Sequence, residues 1–377
     1  MVFMDRSAEI AEKVGRVERM LAVEELGGVL IGAQHNFSWL TAGGSNGIDL
    51  SRDAGAGALL VRADGKRFVL ASRIEMPRLL AEELAGEEFE PVGFAWEEEK
   101  ASPTFLADRA LSLLEGSSAL GSDLPVGTGV RVVEGALAGC RYRLTPSEIE
   151  RFRELGRDAG RVVGDLVRSL EPGETEQEVA RRAADALSTG GMRAVVCLVA
   201  ADERLRQFRH PVPTVRRWEK VLMLVVCARR GGLIASLSRI VCAGSVDEEL
   251  QRRTEAAARV NAHLLAATRP GATGAELYAT AARAYAAVGF AGEERLHHQG
   301  GAAGYRTRDW VAHPASAEVV QDGQAFAWNP SITGTKVEET IIAREDGVEV
   351  VTATSDWPQV AVEVDGSVYL SPGVLFI

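Results

Sequence analysis

The feature that most constrains the fold is a pattern of two helices with a sharp break, which occurs twice. Residues 171–178 (EPGETEQE) and 269–276 (RPGATGAE) each combine a Pro-Gly helix stop with a Thr-x-x-Glu capping box that opens a new helix. Each predicted helix pair precedes strand-like apolar sequence. We therefore expect a pseudo-twofold α+β domain with its cleft between the two halves. The predicted strands cover residues 195–200 and 221–227 in the first half, and 325–328 and 340–343 in the second.

A domain boundary is predicted just before this repeat. Thr145 is a good N-cap, Pro146 suits the first helical position, and Glu148 completes a capping box ahead of an amphipathic stripe. The preceding residues 1–144 predict a mixed α/β domain. Its expected elements are a helix over 7–26, a strand at 29–31, a hairpin of 58–61 and 68–70 around the turn 63–66, and a helix near 77–84.

Composition excludes several classes of function. The net charge of −11 comes from 42 basic and 53 acidic residues mixed along the chain, which argues against a nucleic-acid partner or a polybasic membrane anchor. No run of 18 apolar residues and no apolar leader segment is present, so we expect a cytoplasmic protein without membrane partners. None of the four cysteines forms a CxxC pair, and Cys197 and Cys227 are expected to be reduced core residues.

Five segments in order resemble the pita-bread domain of aminopeptidase P, prolidase and creatinase. The resemblance implies a pita-bread α+β domain over 145–377, a creatinase-like N-terminal domain over 1–144, and a homodimer. The segments are 210–213 (HPVP), 222–239, 297–304 (HHQGGAAG), 329–331 (NPS) and 336–340 (KVEET).

The same resemblance bears on metal binding. Members of this family hold two metal ions with two Asp, one His and two Glu. At the matching positions this sequence has Val225, Ser236, Gly301, Asn329 and Glu338. Because one carboxylate cannot hold a pair of divalent ions, we predict no metal ligands and no cofactor.

Creatinase, which lacks metal, supplies the pattern for the predicted catalytic residues. His210 matches its proton-shuttling histidine, and imidazole can both accept and donate a proton near neutral pH. Glu338 is predicted to orient His210, bind a cationic group or activate water, and His298 is a further catalytic candidate. The predicted substrate-binding residues are Arg308 (for a carboxylate), Tyr305, Asn329, His297 and Arg239, with room for a ligand left by Gly300, Gly301 and Gly304.

Three functions fit these residues. The first is a metal-independent hydrolase or lyase that acts on a C–N bond of a small amino-acid-derived substrate. The second is a metal-dependent Xaa-Pro aminopeptidase or dipeptidase. The third is a catalytically silent protein that binds a small molecule or a short peptide.

Overall fold

The computed structural model describes residues 5–115, 119–245 and 248–377. The chain divides into two compact units, one up to Ser147 and one from Glu148 to Ile377. Sheets and helices are mixed in both units, and the fold class matches the predicted α+β arrangement.

The N-terminal unit is built on one mixed sheet of six strands in the order β4-β3-β2-β1-β5-β6. Its predicted hairpin is confirmed: β2 and β3 pair antiparallel, and Gly65 provides the positive φ that the turn requires. The predicted helix near residue 77 continues into a π-helical turn, Leu79–Glu83. The elements are α1 (Arg6–Val23), β1 (Gly28–Ala33), α2 (Gln34–Leu40), β2 (Ala54–Arg62), β3 (Arg67–Ser72), α3 (Met76–Arg78), β4 (Glu90–Phe94), α4 (Trp96–Ala101), α5 (Phe105–Ser112), β5 (Leu120–Ser122), β6 (Arg131–Val132) and α6 (Glu134–Arg141).

The first half of the C-terminal unit places two long helices before a strand pair. The helix α7 begins at Pro146, as predicted. The strands β8 and β9 pair antiparallel over their whole length, in a sheet of order β19-β9-β8-β7. The elements are α7 (Pro146–Arg168), α8 (Glu176–Thr189), β7 (Arg193–Ala201), α9 (Arg204–Gln207), β8 (Val221–Arg230) and β9 (Leu233–Cys242).

The second half repeats that order. Two helices precede a five-stranded sheet of order β11-β10-β12-β15-β16. A closing hairpin and the final strand follow. The elements are α10 (Glu248–Ala267), α11 (Gly274–Ala287), β10 (Gly300–Ala303), β11 (Trp310–Val311), β12 (Ala325–Trp328), β13 (Ser331–Ile332), β14 (Thr335–Lys336), β15 (Glu339–Arg344), β16 (Gly347–Val350), β17 (Gln359–Val364), β18 (Ser367–Pro372) and β19 (Val374–Phe376).

The two capping boxes predicted within the repeat are confirmed. The Thr175 hydroxyl accepts a hydrogen bond from the Glu178 amide, and the Glu178 carboxylate accepts one from the Thr175 amide. Thr273 and Glu276 make the same reciprocal pair at the start of α11. Each box satisfies amide groups that have no partner within a helix, so it fixes where the second helix of each pair begins.

The two halves are joined through backbone and side-chain hydrogen bonds between β9 and the segment around β15. The Ser238 amide donates to the Glu338 carbonyl at 3.2 Å, and the Ser236 amide donates to the Thr340 hydroxyl at 2.8 Å. The Thr340 hydroxyl in turn donates to the Ser236 carbonyl at 2.9 Å. This junction brings β8 and β9 against the residues that follow β14.

Two other expectations concern membranes and cysteines. Within the described residues, no helix has the length and apolarity needed to cross a bilayer. All four cysteines are free thiols, Cys227 fully buried and Cys197 partly so.

Candidate functional site

A loop between α9 and β8 carries His210 beside the second half of the unit. The neighbouring Arg209 holds this loop in place: its guanidinium pairs with the Glu293 carboxylate and donates to the hydroxyls of Ser331 and Thr333. On the other side, the Pro211 carbonyl accepts a hydrogen bond from a β7 amide at 3.1 Å. The imidazole is therefore carried by a loop that is fastened at both sides, although the ring itself is exposed.

His297 and His298 lie in the segment that leads into β10. Gln299 anchors this segment, because its side-chain oxygen accepts a hydrogen bond from the buried Tyr285 hydroxyl at 2.6 Å. The Nε2 atoms of His297 and His210 are 3.1 Å apart, within hydrogen-bond distance. The rings of His297 and His298 are stacked with centroids 4.5 Å apart, and those of His210 and His298 are 5.9 Å apart. The structure thus brings His210 into contact with a pair of adjacent histidines, of which His297 lies 87 residues later in the sequence.

Partial loss of hydration favours the neutral form of these imidazoles, although only His297 is buried and His210 and His298 keep exposed surface. Burial lowers the pKa of His297 to about 2, and the positive charge of Lys336 adds to the effect. The pKa of His298 falls to about 4, again chiefly through burial, with Arg308 as the next cause. Burial also lowers the pKa of His210, against the opposing effect of Glu338. At neutral pH each ring carries one N–H and one lone pair, and the contact between His210 and His297 uses the N–H of one ring and the lone pair of the other.

Glu338 is buried next to this histidine cluster. Its Oε1 atom accepts a hydrogen bond from Arg308 at 3.2 Å, and its Oε2 atom is buried without a hydrogen-bond partner. Among the described residues no hydrogen bond joins Glu338 to His210. We predicted that Glu338 could orient His210. In the structure the side chain that contacts the His210 ring at hydrogen-bond distance is His297.

Lys336 is the residue that sequence reasoning missed. Its side chain is buried, and its charge acts on all three histidines as well as on Glu338. Burial lowers the pKa of Lys336, the Glu338 carboxylate opposes this shift, and the charge of Arg308 adds to it. The signal was available, since Lys336 lies in the matched segment 336–340, two residues before Glu338. Its neighbours, however, could be known only from the fold.

The strands β8 and β9 present uncharged side chains on the side of Glu338. The Ser236 hydroxyl lies 3.2 Å from the Cys227 sulfur, and these two residues are directly paired across the strands. Burial raises the pKa of the Cys227 thiol to about 11, with the Glu338 carboxylate as the next cause. Val225 pairs with Ser238 and packs in an apolar cluster with Met223 and Ile240.

Several buried polar atoms in this region have no hydrogen-bond partner. Asn329 is fixed through its backbone amide, which donates to the Gln299 carbonyl at 3.0 Å, but its side-chain oxygen is unpartnered. Because buried polar groups are normally paired, such a group of atoms indicates a place where a ligand or solvent completes the hydrogen bonding. The atoms are His297 Nδ1, Arg308 Nε, Asn329 Oδ1, Ser238 Oγ and Glu338 Oε2.

Two predicted substrate-binding residues lie in internal networks instead. The Tyr305 hydroxyl donates to the Glu148 carboxylate at 2.7 Å, and the ring is buried. Arg239 is buried in an ion pair with Glu339 at 2.9 Å, and it donates to the Thr354 hydroxyl. Both side chains thus have internal partners, and these positions suit a structural role.

The sequence suggested that Gly300, Gly301 and Gly304 leave room for a ligand. The structure shows no such room at Gly300 and Gly301, the two glycines of β10. A Cβ atom at Gly300 would lie 2.1 Å from the Ala327 carbonyl oxygen, and one at Gly301 would lie 2.1 Å from that of Trp310. These glycines are required because the neighbouring strands β12 and β11 approach closely. Only at Gly304 is the nearest atom a side-chain oxygen, that of Asp309 at 3.3 Å.

The histidine cluster also meets a geometric condition for one metal ion. Single ligand atoms from His210, His297 and His298 all lie within 4.8 Å of one another. Neutral imidazole is a common ligand of zinc and other transition metals. These residues could hold a single ion.

The fold is shared with solved structures of peptidases. A prolidase from Pyrococcus horikoshii OT3 is 20% identical and superposes with a TM-score of 0.76, covering 91% of this chain and 99% of its own. An Xaa-Pro dipeptidase from Bacillus anthracis is 17% identical with a TM-score of 0.74, covering 98% and 100%. The N-terminal domain of FACT complex subunit SPT16 from Cicer arietinum is 12% identical with a TM-score of 0.68, covering 92% and 97%. No curated protein sequence matches the chain.

The family assignment rests on the C-terminal unit. Residues 150–352 match the model of metallopeptidase family M24, which is more than half of the 377 residues. The matched region contains α7 from residue 150, the other three helices of the two pairs, the strand pair β8–β9 and every residue of the histidine cluster. The chain belongs to metallopeptidase family M24, a family of peptidases and hence of hydrolases.

Proposed function

We propose that this protein is a hydrolase that cleaves a C–N bond of a small amino-acid-derived substrate, with a histidine as acid and base and without a metal pair. The observation that carries the proposal is the contact between the Nε2 atoms of His210 and His297 at 3.1 Å, beside Glu338. A neutral imidazole held by a second imidazole is suited to proton transfer near neutral pH.

The residues at the family's metal positions do not fit a dinuclear centre. Gly301 has no space for any side chain, since a Cβ there would collide with the backbone of β11. Val225 packs in an apolar cluster, and two cationic side chains, Lys336 and Arg308, act on the same region. Cations at that place oppose the binding of two divalent ions. These features support hydrolysis by the chain's own residues.

The proposed chemistry uses water and one proton shuttle. In the tautomer that donates the Nε2–H of His210 to His297, the His210 Nδ1 atom has the free lone pair. His210 Nδ1 accepts a proton from water while the water oxygen attacks the carbon of the C–N bond. The protonated imidazole then gives that proton to the departing nitrogen, so carbon gains OH and nitrogen gains H. His297 holds the His210 ring through the Nε2 contact, while its own Nδ1 atom faces no protein partner. Glu338 Oε2 is the nearby acceptor for a substrate N–H group.

The test measures amine release from glycyl-L-proline, an N-acetyl amino acid and a guanidino acid. For a substrate that is turned over, His210→Ala should lower kcat/KM by about 10²- to 10⁴-fold. His263→Ala, at an exposed position on α10, is the matched control and should not change it. Turnover should survive treatment with a chelator. Stoichiometric Mn, Co or Zn together with chelator-sensitive turnover would overturn the proposal, as would an active His210→Ala variant.

A metal-dependent Xaa-Pro peptidase is the second candidate. It is favoured by the three histidines, whose ligand atoms lie within 4.8 Å of one another, and by the names of the peptidases that share the fold. Metal analysis of the purified protein separates it from the first candidate. A silent binding protein is the third, favoured by the similar fold in a subunit of the FACT complex. Homodimer formation stays a prediction, which the molecular mass in solution would test.

A further inference from the structure

The cationic groups around the histidine cluster differ in whether they have partners. Arg308 is paired with Glu338 at 3.2 Å, and Arg209 is paired with Glu293. Lys336 is buried within electrostatic range of both arginines, and among the described residues no hydrogen bond or ion pair joins its ammonium group to a partner. The group therefore has one cation more than it has carboxylates.

An unpaired buried charge is unfavourable, because the group loses its hydration without gaining a partner. The positive charge of Arg308 repels the Lys336 ammonium group, and the Glu338 carboxylate that offsets this repulsion is itself paired with Arg308. A bound anion would remove both effects. An ammonium group on a flexible stem is a suitable partner for a single carboxylate.

Other unpartnered atoms of the site define the rest of the ligand. Arg308 Nε is a buried donor, and it can only give its hydrogen to an acceptor. Asn329 Oδ1 and Glu338 Oε2 are buried acceptors, and they require N–H or O–H donors. A ligand that completes this set carries an acceptor oxygen as well as N–H or O–H donors.

We propose that Lys336 is the counter-ion for a substrate carboxylate, and that the site selects small molecules with one carboxylate and at least one N–H donor. The sequence suggested Arg308 for this role, but the Arg308 charge is already paired with Glu338. The inference rests on the same site as the proposed function and names its class of substrate. It concerns binding, so it can be tested without turnover.

The probes are N-acetylglycine and its neutral analogue N-acetylglycinamide, titrated calorimetrically into the full chain. The wild-type protein should bind the carboxylate about tenfold or more tightly than the amide. Lys336→Met should bind both equally. Lys336→Arg should keep a preference for the carboxylate. Lys220→Met, which removes an exposed lysine of the same unit, should behave as wild type.

Equal binding of the two probes by the wild-type protein, or an unchanged preference in Lys336→Met, would overturn the proposal. If Lys336→Met does not fold, as judged by circular dichroism, the proposal is still tested by the carboxylate preference of the wild-type protein and of Lys336→Arg. A carboxylate preference without hydrolysis of any substrate would reject the hydrolase and leave the role of Lys336 standing. Hydrolysis of a substrate without a carboxylate preference would support the hydrolase and reject the role of Lys336.

Discussion

The two halves of the C-terminal unit repeat one order of elements but contribute different chemistry. In the first half, β8 and β9 bring Val225, Cys227 and Ser236, none of which is charged at neutral pH. The second half brings Lys336 and Glu338 within a few residues of each other, together with two histidines and an arginine. The loop that carries His210 is the first half's polar contribution. One half therefore acts mainly as an apolar support, and the other carries nearly all the charge.

The difference between the halves can be tested by placing a carboxylate in the apolar half. Val225→Asp would bury a charge within the cluster formed with Met223 and Ile240, and should lower the free energy of unfolding by about 3–5 kcal/mol. Urea unfolding followed by tryptophan fluorescence measures this. Val225→Ala is the control for lost volume, at about 2 kcal/mol. If the two variants are equally stable, or if Mn²⁺ restores Val225→Asp, the first half does accommodate a cation.

A second prediction concerns the charged half and pH. The pKa of His297 is lowered to about 2 in the folded chain, against 6.5 for an exposed histidine, so the unfolded chain binds more protons between these values. Stability from this group is complete above pH 6.5 and is lost as pH falls toward 2. The slope from this residue is at most about 1.4 kcal/mol per pH unit.

Unfolding experiments between pH 5 and 8 check this slope. His297→Gln should reduce the loss of stability on acidification. His263→Gln, at an exposed site, should leave it unchanged. An identical slope in wild type and His297→Gln would mean that His297 is not kept neutral by its surroundings.

The smallest predicted effect is the loss of stability when a capping box is removed, and this loss should be the same in the two halves. Thr175→Ala and Thr273→Ala each remove the side-chain half of a capping box, and each should cost about 1 kcal/mol. Thr189→Ala, at the exposed end of α8, is the control and should change stability by less than about 0.5 kcal/mol. Unequal costs for Thr175 and Thr273 would show that the internal repeat is not energetically symmetric.

The sequence predicted those features of the fold that depend on local chemistry. Capping boxes, the Pro-Gly breaks and the apolar strands are set by residues a few positions apart, and the helix starts at Pro146, Glu176 and Gly274 follow from them. The π-helical turn after Arg78 had no such signal.

The site was predicted less completely, because it depends on contacts between distant segments. His210 and His297 could be named, but only the fold brings their Nε2 atoms together. Tyr305 and Arg239 were assigned to substrate because their partners, Glu148 and Glu339, could not be foreseen. The importance of Lys336 emerges only when each neighbouring charge is matched to its own partner.

The tight approach of β10 and β11 has a consequence for how this protein can change over time. A side chain of any size at Gly301 meets the Trp310 carbonyl oxygen before it reaches a ligand. A histidine introduced there by mutation would first have to force β10 and β11 apart. Any side chain added at this position would therefore act on the strand pairing before it could act on a ligand.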